Sequence, residues 1–91
     1  MHMNECYIYV TPTTFCKAIV FNSIEVLSEN IKLFPVKELE QVASDIVRAY
    51  NVEQITLIGA DLYTYKLRQN LEGNENMKNV KILTRERMNF D

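Results

Sequence analysis

Few residues in this chain are of a type and spacing that could do chemistry. The single histidine, His2, stands at the very start of the sequence, where no base is expected to be held against a nucleophile. Cys6 and Cys16 have a spacing that fits neither a zinc knuckle nor a CxxC redox pair. Both lie in apolar runs, so they read as reduced core thiols. Asp61, just past the apolar run QITLIGA, is the acid a metal-dependent nuclease would use, with Glu5 as its partner. Two-metal chemistry would need such carboxylates to hold ions about 3.5–4 Å apart, and Asp61 reads first as a helix N-cap. Gly59 and Gly73 are the only glycines, which excludes GxGxxG and GxxxxGK[ST] phosphate loops. Gly59 and Asp61 remain candidate lining for a small-ligand pocket at the carboxyl edge of a sheet. No metal site and no cofactor are expected.

The elements that position these residues follow from periodicity. ECYIYV, residues 5–10, alternates Cys6, Ile8 and Val10 with Tyr7 and Tyr9, the period-two signature of a strand. Pro12 interrupts it, and CKAIVFN, residues 16–22, resumes strand character, so a hairpin is the economical reading. A third strand is expected around Ile24 and Val26, extending to Ile31 and Leu33 with a break at residues 28–30. From Val36 to Tyr50 the residues Leu39, Val42, Ala43, Ile46, Val47 and Tyr50 share one helical face. Lys37, Glu38, Glu40, Gln41, Ser44, Asp45 and Arg48 take the other, and Pro35 marks the start. QITLIGA reads as a buried strand, a second helix runs from Asp61 to about Leu71, and residues 79–84 form a last strand.

The expected fold is therefore α/β, a single domain over residues 1–91 in the order β-β-β-α-β-α-β, an antiparallel meander leading into parallel strands. That order resembles the core of the ribonuclease H-like superfamily, which includes resolvase-like nucleases and actin/sugar-kinase-like ATPases, and implies a two- or three-layer mixed sheet. VTPTTFCKAIVF, residues 10–21, is similar to the first phosphate loop of the ATPases, with Thr13, Thr14, Lys17 and Ala18 matching. ELEQVASDIVRAYNVEQITLIGA, residues 38–60, looks like the helix, turn and strand of the resolvase branch. The resemblance implies an Asp where this chain has Val10 and a glycine where it has Pro12. The carboxylate for magnesium and the close backbone approach to phosphate are thus both replaced.

With 47% hydrophobic and 24% charged residues the composition is globular, and the formal charge of -2 offers no general attraction for polyanions. The longest apolar run is far short of the roughly 20 residues a membrane span needs, so no membrane partner is expected and a cytoplasmic location is. These observations lead to the expectation of a catalytically inactive interaction or inhibitor module, homodimeric, contacting a second copy or another protein through Tyr7, Tyr9, Phe15 and Phe90. A sheet covered by two helices would leave one face for that contact. The alternatives are a nuclease using Asp61 and Glu5, a small-ligand sensor, and a nucleic-acid-binding protein. The last would stack bases on Tyr7, Tyr9, Tyr63 and Tyr65 and draw on Lys66, Arg68, Lys78, Lys81, Arg85 and Arg87 for charge.

Overall fold

The computed structural model describes residues 3–10, 15–22, 26–28, 33–59 and 62–86. Strand β1, Glu5–Val10, pairs antiparallel with β2, Phe15–Phe21, setting Cys6 opposite Val20, Ile8 opposite Ala18 and Val10 opposite Cys16. Strand β3, Val26–Ser28, adds antiparallel to β2, with a register shift between Val20 and Phe21, and a two-residue strand β4, Phe34–Pro35, pairs the other end of β2. A single 3-10 turn, Val36–Glu38, leads into helix α1, Leu39–Tyr50. Strand β5, Gln54–Ile58, returns parallel to β1, helix α2 spans Leu62–Glu72, and β6, Lys81–Arg85, lies parallel to β5. The result is a mixed α/β domain whose sheet runs through five strands in the order β3-β2-β1-β5-β6, with the short β4 as a sixth on β2.

Both helices pack on the same face of that sheet. The registers align Cys6, Ile8, Cys16, Ala18, Val20, Ile55, Leu57 and Ile82 on one side, and these form one buried cluster with Leu39, Ala43 and Ile46 of α1 and Leu67 and Leu71 of α2. Each fully buried Leu or Ile there contributes about 1.5–3 kcal/mol. The thinnest dimension is 21 Å, which suits the two layers, sheet and helices, seen among the described residues.

Asn51 fixes how α1 joins the sheet. Its backbone is left-handed, at φ 52° and ψ 47°, and it caps α1 with its N–H donating to Val47 O. Asparagine tolerates this conformation where a β-branched residue would not. Two further bonds anchor the corner to β1: Asn4 Nδ2 donates to Tyr50 O at 2.6 Å, and Glu53 N donates to Asn4 O at 2.9 Å.

The structure revises several boundaries. The third strand is split into β3 and β4, and Leu33, expected in it, is outside any strand and 60% exposed; Ile24 and Ile31 lie outside the described residues. Ser44, assigned to the solvated face of α1, is buried. It lies one position along from Ala43, so the buried arc of the helix is wider than its apolar residues alone indicate. The last strand starts two residues later than expected, because Asn74–Lys78 are taken up by a 3-10 turn whose cap, Asn74 Oδ1, accepts from Asn76 N at 2.8 Å. Among the described residues no helix is long and apolar enough to cross a membrane.

Asn51→Val forces a β-branched residue into the left-handed region and is expected to cost about 1–2 kcal/mol, whereas Asn51→Gly should be close to neutral; urea unfolding of both variants checks the pair.

Candidate functional site: the open face of the sheet

The alternation that buries Cys6 and Ile8 sends Tyr7 and Tyr9 to the opposite face, and the registers extend that face into a grid of three rows. Phe21, Glu5, Gln54 and Lys81 form the first row, Ile19, Tyr7, Thr56 and Leu83 the second, and Lys17, Tyr9, Ile58 and Arg85 the third. Phe15 continues beyond Lys17 on β2 and is 45% exposed. Among the described residues no helix covers this grid. Thr56 and Ile58 are buried within it, Tyr7, Tyr9, Lys17, Ile19, Phe21 and Leu83 are half-buried, and Lys81 and Arg85 are exposed.

The aromatic half of the grid is ordered by its own contacts. Tyr7 and Phe21 meet edge to face, with ring centroids 4.9 Å apart at 88°, a geometry that aligns the positive edge of one ring with the negative face of the other. Lys17 Nζ lies 5.6 Å from the centroid of the Tyr9 ring. Glu5 Oε1 accepts from Gln54 Nε2 at 2.9 Å, directly across the β1–β5 pair. The grid thus holds three cations, Lys17, Lys81 and Arg85, against one carboxylate, although the whole chain is net acidic at -2.

Tyr7, Tyr9 and Phe15 are therefore brought to one surface, while Phe90 lies outside the described residues. Sequence reasoning missed Lys17, Ile19, Phe21 and Leu83. The same period-two rule applied to β2 and β6 would have found them once the strand neighbours were known. The basic residues grouped in the sequence are separated: Lys66 and Arg68 belong to α2, where Arg68 Nε contacts Glu72 Oε1 at 2.6 Å, and Lys81 and Arg85 belong to the sheet.

Glu5 opens β1 beside Gln54, the first residue of β5, so it stands at the opposite end of that strand from Gly59. Four rises along β5, from Gln54 to Ile58, separate its two ends by about 13 Å. Asp61 lies outside the described residues, and among those described no three His, Cys, Asp or Glu side chains gather as a metal would require. Gly59 does line a cavity of about 420 Å³ with Leu62, Thr64, Tyr65, Thr84, Arg85 and Glu86. Its own role is close packing: a Cβ at Gly59 would run into Thr64 Oγ1 and touch Val10.

The thiols stay in the core as free cysteines, and burial pushes Cys6 up to about 12 from an ordinary 9.0 and raises Cys16 as well. Neither is activated for nucleophilic attack, because desolvation disfavours the thiolate. Compared with known protein families, with curated proteins and with solved structures, the chain finds no match in any of the three.

Two outcomes are expected. The folded pKa of Cys6 lies above its unfolded value, so its contribution to stability is fully present below about 9 and is lost as pH rises towards about 12. Stability of the parent should fall across that window and that of Cys6→Ala should fall less, as measured by denaturant midpoints. Gly59→Ala should cost about 1–3 kcal/mol by overpacking against Thr64, measured in the same way.

Proposed function

We propose that this chain is a non-catalytic binding module whose open sheet face holds single-stranded nucleic acid. The observation that carries the reading is the juxtaposition, on a face that no helix covers among the described residues, of Tyr7, Tyr9 and Phe21 with Lys17, Lys81 and Arg85. Rings offer stacking surfaces that every base can use, and cations at the margins meet the phosphates of a strand lying across the sheet. The one carboxylate of the grid, Glu5, is outnumbered by these three cations.

A second copy of the chain, the occupant the sequence analysis favoured, meets a specific obstacle. Closing two such faces against each other would bring three cations of one copy towards three of the other, and desolvating an ion without a partner costs several kcal/mol. Phosphates supply the missing counter-charge. The homodimer remains the second reading because Ile19, Leu83 and Phe15 give the face apolar area as well.

We also read the fold as a reduced ribonuclease H-like core. An antiparallel meander followed by two helical crossovers into parallel strands supports that reading, as does the order β3-β2-β1-β5-β6. Val10 at the end of β1 and Glu5 at its far end support a module without the family's metal chemistry.

The test is fluorescence anisotropy with labelled dT and rU oligonucleotides of about eight nucleotides, alongside sedimentation of the free protein. Three phosphate contacts predict a slope of log affinity against log salt near -2. Tyr9→Leu keeps apolar bulk but removes a ring, and is expected to weaken binding by about 1–3 kcal/mol. Absence of binding at low salt together with a stable dimer would overturn the reading in favour of a second copy.

A further inference from the structure

The cavity beside Gly59 is not separate from the open face. Arg85 belongs to both: it closes the third row of the grid opposite Ile58 and also lines the cavity, whose floor is tied to the sheet by Gly59 N donating to Arg85 O at 2.9 Å. A strand lying along the third row and leaving the sheet at its carboxyl edge would pass directly over this opening. The remaining lining differs from the grid in kind. Leu62 is 86% exposed and Tyr65 51% exposed, which is high for such side chains at the start of a helix that buries Thr64 and Leu67. Glu86 contributes a carboxylate that follows directly on the last residue of β6.

These groups select one kind of occupant. A volume of about 420 Å³ accommodates a nucleobase with its sugar. The Tyr65 ring and the Leu62 side chain offer apolar surface for a planar ring system, and Arg85 offers a cation for the phosphate that follows it. A carboxylate accepts hydrogen bonds through two oxygens, so Glu86 favours a base edge that presents adjacent N–H donors. Guanine is the base with two such donors side by side, on N1 and the exocyclic amine. A base presenting acceptors there would set oxygen or nitrogen lone pairs against those of the carboxylate and gain no hydrogen bond from it. We infer that this cavity is a guanine-accepting subsite at the end of the nucleic-acid face, taking an unstacked base from the strand. The inference rests on the face reading above and adds a base preference that the face alone does not supply.

The experiment compares three probes against the full chain: dT octamer, the same octamer with guanine at one end, and GMP alone, with AMP and UMP as controls. The expected result is tighter binding of the guanine-ended octamers by roughly five- to hundredfold, lost in Glu86→Gln, while dT octamer binds Glu86→Gln as it binds the parent. GMP should perturb the Tyr65 ring resonances, and AMP and UMP should not. Tyr65→Ala removes the same preference, and Tyr65→Phe, which keeps the ring, retains it. The exposed positions of Tyr65 and Glu86 leave the core intact in all three variants. Binding of dT octamer with no guanine preference, or a preference unchanged by Glu86→Gln, overturns the subsite and leaves the face reading standing. GMP binding without binding of any octamer overturns the face reading and, with it, the subsite as the end of a strand path.

Discussion

Strand β1 is hydrogen-bonded along both edges, antiparallel to β2 and parallel to β5, and every other layer takes its position from that double pairing. Because side chains alternate along a strand, the choice of Cys6 and Ile8 for the core fixes Tyr7 and Tyr9 on the other side without further instruction. A slip of one residue would expose Cys6 and Ile8 and bury the two tyrosines. The complete burial of Cys6, Ile8, Ile55 and Leu57 makes such a slip costly, so the composition of the outer face is enforced by the inner one.

Much of this was legible from residue types. The alternation in ECYIYV, the three- and four-residue spacing from Leu39 to Tyr50 and the buried run around Ile55 each report a local period, and each appears as an element. What periodicity cannot report is which strands become neighbours. Lys17 and Tyr9, or Phe21 and Tyr7, are far apart in the list of residues and adjacent only after the hairpin closes. The third strand was misread for a related reason. Its segment has apolar residues without a sustained period, and pairing with β2 at two separate places decides its structure. Ser44 shows the opposite limit, since a small hydroxyl residue is compatible with either side of a helix and only packing assigns it.

Charge illustrates why a sum over the chain misleads at a surface. A net of -2 argues against polyanions only if the charges are evenly spread. Here the two helices balance Glu40, Asp45 and Glu72 against Arg48, Lys66 and Arg68, and the sheet face keeps Lys17, Lys81 and Arg85 with a single acid. The partition follows from the two-layer architecture, because a helix that covers one side of a sheet places its own solvated residues away from the other side. The two sides of the molecule therefore present different fields at distances shorter than the Debye length of about 8–10 Å.

The parallel pairing of β1 with β5 also sets an order in time. Hairpin closure between β1 and β2 joins strands with four residues between them in the sequence, whereas Glu5 and Gln54 are 49 residues apart when they come together. Closing the longer loop costs more chain entropy, and contacts of that range slow folding. The aromatic half of the outer face, carried by β1 and β2, can thus form with the hairpin. The half that carries Lys81 and Arg85 must wait until α1 has delivered β5 and α2 has delivered β6. A nascent chain would pass through a stage in which Tyr7, Tyr9, Phe15 and Phe21 are assembled while the edge of β1 destined for β5 is still unpaired, which is the interval in which such a sheet is most prone to pair with the wrong strand.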